Sequence, residues 1–200
     1  QAEDAAMRAQ VQALTHASGW ERESALHALT PANSTAVTLS AVLLLHNDWV
    51  PQVRQAAAQA LARLLPLLDL PQVLGALPAL SALQRGRRGS HAPVVQCINA
   101  HLQQQLTPDT RQTLLRTVQR GPREAAHFCF DLLLRRALAL RASQPDTSEV
   151  EQLATLQAGL RARDLALARR AAQGIHQLPT PAARLQAVQA ALAARQVTAR

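Results

Sequence analysis

The sequence predicts an all-α protein in which about five antiparallel helix pairs pack one after another. Three observations lead there. Leu and Ala dominate, Tyr is absent, and Trp20, Trp49, Phe128 and Phe130 are the only aromatic residues, a composition of helix formers. Proline or a capping residue opens segments that then run apolar at three- and four-residue spacing. A short frame of residues also recurs from one pair to the next.

The predicted helices cover 3–17, 20–29, 33–46, 51–65, 71–84, 93–106, 108–119, 122–141, 149–161, 164–178 and 181–194, with no strand. Short turns join them, so consecutive helices are expected to lie antiparallel and to form the natural unit in pairs. Thr107-Pro108 and Thr180-Pro181 each place a capping hydroxyl before a proline at the first helical position, where the missing N–H costs nothing. Ser148 and Glu151 have capping-box spacing and set the start at 149. In the last segment Leu185, Val188 and Leu192 share one face, with Arg184 and Arg195 elsewhere.

The frame is clearest at Asp48-Trp-Val-Pro-Gln-Val53-Arg54, followed by Ala57, Ala60 and Leu61. It recurs at Arg22, Ala25, Ala28, Leu29 and at Arg123, Ala126, Cys129, Phe130. Weaker copies stand at Val95, Ile98, His101, Leu102 and at Asp164, Arg169, Ala172, Ile175, His176. Small residues three apart make a low strip that lets the next helix approach closely, while Leu and Val fill the seam. Segment 48–64 resembles the second helix of a HEAT repeat. The resemblance implies an α-solenoid of about five HEAT-like helix pairs in a right-handed superhelical stack, a single domain over 1–200. It also implies a ladder in which an Asp and an Arg of adjacent repeats bridge one another. Asp48, Arg54, Asp164 and Arg169 match those roles, and Arg22 and Arg123 match the Arg role alone.

Chemistry is sparse. No nucleophile elbow, phosphate loop, H-E-x-x-H or EF-hand loop is present, and the absence of Lys removes a P-loop lysine or Schiff base from this stretch. No two of the seven His stand four apart, so no metal site is expected. His27, His101 and His176 fall in or beside the packing frame. Cys97 and Cys129 fall at small or apolar slots and are expected to pack in the core. No catalytic residue and no cofactor is assigned.

The charge is uneven. Residues 1–84 hold 4 Arg and 6 acids, a net of −2, and residues 85–200 hold 17 Arg and 7 acids, a net of +10. The loop 84–91 sets Arg85, Arg87 and Arg88 among glycines, a combination suited to phosphate or carboxylate. Arg116, Arg120 and Arg123 are expected to gather across the turn at Gly121, and Arg161 and Arg163 precede another helix start. These eight arginines are the candidate partner-binding or anion-binding residues.

The expected role is a non-catalytic scaffold for a protein partner carrying an acidic segment. A nucleic-acid backbone is the alternative. Trp20/Arg22 and Trp49/Arg54 are similar to the Trp-then-Arg pattern of helical-repeat alkylpurine DNA glycosylases, but Asp48, the residue that would serve as their catalytic Asp, is explained by the ladder. A regulatory arm of a larger enzyme, like the HEAT-like bilin lyases, rests on fold analogy. The chain begins at Gln1, which suggests a fragment or a processed form. Its most apolar stretch, 61–80, is interrupted by Arg63, Asp69 and three prolines, so a soluble protein is expected, in the cytoplasm, with a secreted or periplasmic setting left open.

Overall fold

The computed structural model describes residues 2–88 and 91–198, and among them every regular element is helical. The helices are α1 (Ala2–Leu14), α2 (Gly19–His27), α3 (Ala36–Leu45), α4 (Pro51–Leu64), α5 (Leu70–Gln84), α6 (Ala92–Gln104), α7 (Pro108–Arg120), α8 (Arg123–Leu140), α9 (Pro145–Leu160), α10 (Leu165–Gly174) and α11 (Pro181–Thr198). They form two compact units, Gln1–Gln104 and Gln105–Arg200. None of these helices is long and apolar enough to cross a membrane.

In the first unit α1 packs on α2 and α3, α3 packs on α4 and most extensively on α5, and α2 packs on α4. Helices α1, α2 and α3 thus each meet the one two places further on. Alanine permits that approach: Ala56, Ala57 and Ala60 of α4 are buried beside Val53, Leu61 and Leu64. Local signals set the ends. Thr35 and Asp69 close reciprocal capping boxes with Thr38 and Gln72, and Pro51 stands at the first position of α4.

The turn between α3 and α4 is fixed from outside. Arg22 of α2 reaches it with two parallel bonds to Asp48, Nε to Oδ2 and Nη2 to Oδ1, each 2.9 Å. Arg22 Nη1 also donates to the carbonyls of His16 (2.6 Å) and Ala17 (2.9 Å), six and five residues earlier. Arg54 repeats this clamp on its own turn, donating through Nη1 to the carbonyls of Asp48 (2.8 Å) and Trp49 (3.4 Å).

His46, just after α3, is buried, and its Nδ1 lies 2.9 Å from the Val42 carbonyl while Nε2 has no partner among the described residues. The carbonyl fixes the proton on Nδ1, so charging the ring would place a second N–H where no described residue accepts it. Burial lowers the His46 pKa, the bond to Val42 opposes this, and His91 adds to the lowering. Because the folded-state value lies below the unfolded one, this contribution is complete above about pH 6.5 and is lost as pH falls through the folded value. His101 is lowered in the same sense, chiefly by burial. The urea midpoint is therefore expected to fall between about pH 7.5 and about pH 5.5, and His46→Leu to flatten that fall. An unchanged slope in the variant would clear His46 of the effect.

In the second unit α9 is central and packs against α7, α8, α10 and α11. Its buried face is mixed, with Ser148, Gln152 and Thr155 beside Leu156, Ala158 and Gly159. Glu151 lies between two guanidinium groups, 3.8 Å from Arg111 Nε and 3.5 Å from Arg136 Nε. Gly159 is required by proximity: a Cβ there would stand 2.7 Å from both Ala171 Cβ and Phe130 Cε2.

Several expectations are corrected. Helix α9 starts at Pro145 rather than 149, and Ser148 is no cap: it is buried within the helix, its hydroxyl donating to the Ala137 carbonyl at 2.6 Å. On α11, among the described side chains, the shared face of Leu185, Val188 and Leu192 is exposed, and Ala183 and Ala187 are buried. On α10 Leu167 and Ala171 are buried and Arg169 and Ala172 are exposed, so the frame there is one residue out of register. Of the two free cysteines Cys129 is buried, which pushes its thiol up to about 12, but Cys97 is exposed.

Candidate functional site

Five of the eight candidate arginines lie at one end of the second unit. Helix α7 is capped by Thr107, whose hydroxyl accepts from the Thr110 N–H, and buries Leu114 and Val118. Arg116 and Arg120, one turn apart, stay exposed. Gly121 ends the helix by donating to the Thr117 carbonyl at 2.8 Å, and a Cβ there would stand 2.6 Å from that oxygen. Pro122 then stops α7 and opens α8 at Arg123.

The turn between α9 and α10 is held beside this one. The Arg163 N–H donates to the Gln119 carbonyl at 3.2 Å, and Arg123 Nε lies 3.3 Å from Asp164 Oδ2. Asp164 is the cap of α10: its Oδ1 accepts from the Leu167 N–H at 2.8 Å and lies 3.1 Å from His127 Nε2. The Leu167 bond is the largest cause of a lowered Asp164 pKa, followed by the His127 bond, so the group stays an anion. It is already engaged by three donors. Arg116, Arg120, Arg161 and Arg163 make no side-chain ion pair among the described residues, and the acids at this end are Asp164 and Glu124. The result is a positive surface built on two rigid helix turns, able to meet carboxylates or phosphates with bidentate bonds.

The other three candidates stand in the first unit, and their loop is committed to a different contact. Arg85 follows α5, with Nη1 3.4 Å from Ser81 Oγ. Gly86 lies against Asn47, where a Cβ would come 2.7 Å from Asn47 Cγ. The Arg88 N–H donates to Asn47 Oδ1 at 2.9 Å and Arg88 Nη1 to the Asn47 carbonyl at 3.5 Å. The glycine therefore serves docking on the α3–α4 turn, and a backbone N–H expected to face an anion is already used. Arg85, Arg87 and Arg88 remain exposed, and Gly89 and Ser90 lie outside the described residues.

Asn47 was not legible as a partner of this loop, because the two are separated by 41 residues and no pattern joins them. A second missed feature is an open cleft of about 600 Å³ in the second unit, floored by Phe130, Leu134 and Leu156 and edged by Arg170, Gln173 and His176. Arg170 stands over the Phe130 ring, 5.6 Å from its centre, and 2.6 Å from Asp131 Oδ1. Its charge is thus partly answered before any ligand arrives. No group of His, Cys, Asp or Glu among the described residues is arranged to hold a metal ion.

Compared with known protein families, with curated proteins and with solved structures, the chain matches none.

Proposed function

We propose that each unit is a short HEAT-like α-solenoid and that the chain is a non-catalytic scaffold, holding an acidic segment of a partner protein at the arginine-lined end of the second unit. The observation that carries the reading is the pair of adjoining turns presenting Arg116, Arg120, Arg161 and Arg163 around a carboxylate that is already engaged. The solenoid reading draws support from helices that meet two places on, α1 with α3 and α3 with α5, and α7 with α9 and α9 with α11. Recurrent arginine clamps at helix starts add to it. A stack of this kind leaves its turns open for docking.

Nucleic acid is the second reading, favoured by the same surplus of guanidinium groups. It is weakened by the lack of a stacking surface: the aromatic residues of the second unit, Phe128 and Phe130, are half-buried and buried.

Replacing Arg116, Arg120, Arg161 and Arg163 together by Ala removes exposed charge and leaves the helices intact. Binding of a labelled oligo-glutamate peptide, followed by anisotropy, is expected to weaken at least about tenfold, each exposed pair contributing up to ~1 kcal/mol. Affinity for the unaltered chain is also expected to fall with added salt. Equal affinity in the variant would end the proposal. A tighter and steeply salt-dependent gel shift of RNA or DNA would replace it with the second reading.

A further inference from the structure

The chain has two tryptophans, and both are spread on the surface of the first unit, Trp20 72% and Trp49 65% exposed. An indole left in water forgoes the burial that usually places it in a core or an interface. Their positions are not loose. Trp20 is the second residue of α2 and Trp49 lies in the turn before α4, segments tied together by the Arg22–Asp48 pair. Gly19 lies against Val50, where a Cβ would come 2.9 Å from Val50 Cγ2. The Trp49 carbonyl is itself held by Arg54. The backbone beneath both rings is therefore fixed before any partner arrives, which lowers the entropy cost of docking.

Near the rings Arg22 is paired with Asp48, and the carboxylates of Glu21 and Glu23 outweigh the charge that Arg54 keeps while it bonds neutral carbonyls. Arg22, Arg54 and Arg63 spend guanidinium N–H groups on backbone carbonyls, Arg63 on those of Leu26 and Leu29. Glu21 is exposed, and Glu23 is half-exposed with His27 Nε2 4.0 Å from its Oε1. His16 is turned to its own chain, its Nδ1 accepting from the Ser18 N–H at 3.1 Å. Two indole faces beside the first turn of α2 suit a cation: the ring quadrupole attracts it, Glu23 stands three residues from Trp20 on the same helix face, and Glu21 attracts it from further away. A nucleic-acid strand would find bases to stack on the rings, but its phosphates would meet Glu21 and Glu23.

We propose that Trp20 and Trp49, with Glu21 and Glu23, form a docking platform for a basic protein segment, whose arginine or lysine side chains lie over the indole faces. This surface is separate in chemistry from the arginine-lined end and stands or falls independently of it.

The chain reports on the platform by itself, because it has no Tyr and no other Trp, so indole emission comes from these two residues alone. The experiment titrates the intact chain with an oligo-arginine peptide, an oligo-glutamate peptide of equal length and a single-stranded oligonucleotide. A saturable change in emission with the basic peptide alone is expected. In Glu21→Gln/Glu23→Gln, which keeps both indoles, the apparent affinity is expected to drop by about tenfold, within the span of a partly desolvated cation–π contact and its supporting charges. Trp49→Phe is expected to keep a weakened response from Trp20. The proposal is overturned if the basic peptide leaves the emission unchanged, if the acidic peptide or the oligonucleotide changes it at equal or lower concentration, or if the double Gln variant binds as tightly as the parent.

Discussion

Replacing Asp48 by Ala is expected to cost about 3–5 kcal/mol. The side chains of Arg22 and Asp48 are each 7% exposed, and their two 2.9 Å bonds form a bidentate fork. Without the carboxylate, Arg22 keeps the His16 and Ala17 carbonyls but holds a buried charge with no counter-ion. The Val50 N–H, which now donates to Asp48 Oδ1 at 2.8 Å, loses its acceptor at the start of α4 as well. Asp48→Asn keeps that acceptor and the volume, so it should fall between the parent and Asp48→Ala. The measurement is the urea midpoint followed by circular dichroism. The comparison that decides it is Asp164→Ala, because Arg123 is mostly exposed and its pair with Asp164 is screened by water. If Asp48→Ala costs no more than Asp164→Ala, burial is not what gives the first pair its weight.

That contrast also shows how far the sequence could be read. Asp48 and Asp164 were expected to meet an Arg of an adjacent frame, and Arg22 and Arg123 meet them, whereas Arg54 holds the carbonyls of its own turn and Arg169 is exposed. Periodicity and proline located α4, α7 and α11 at their starts because those signals are local. The errors came where a distant group decided the outcome. Ser148 reads as a cap from its spacing to Glu151, but Pro145 had already begun the helix and the Ser148 hydroxyl found a carbonyl on α8. On α11 the shared face of Leu185, Val188 and Leu192 told nothing of burial, and close packing took the stripe of Ala183 and Ala187. Arg184 is read from the sequence only as lying off the face of Leu185, Val188 and Leu192. Even so, its Nε donates to the Leu178 carbonyl six residues earlier, as Arg22 does to His16 and Arg54 to Asp48, and buried Ala187 follows three residues on. The candidate arginines were legible as charge, whereas the bond from the Arg163 N–H to Gln119 that sets two turns side by side has no sequence signature.

Phe130→Ala is the second large loss expected, about 3–5 kcal/mol. The ring is 1% exposed, and it separates the interior of the second unit from the cleft edged by Arg170. Its removal deletes apolar burial and takes away the face on which the Arg170 guanidinium rests. The size of the loss depends on whether neighbouring groups can close the space, and Gly159 is the neighbour that tests this. In the parent chain Gly159→Ala drives a Cβ to 2.7 Å from the ring's Cε2, an overpacking expected to cost about 1–3 kcal/mol. With the ring gone, the same methyl enters vacated volume, although Ala171 Cβ at 2.7 Å still resists it. The double variant should therefore be more stable than the sum of the single losses, by at least about 0.5 kcal/mol, the threshold at which contacting residues depart from additivity. Denaturation midpoints of the parent, both single variants and the double variant complete the cycle. Strict additivity would mean that the ring and the glycine do not press on one another, and that α9 accepts glycine at this point for the sake of Ala171 alone.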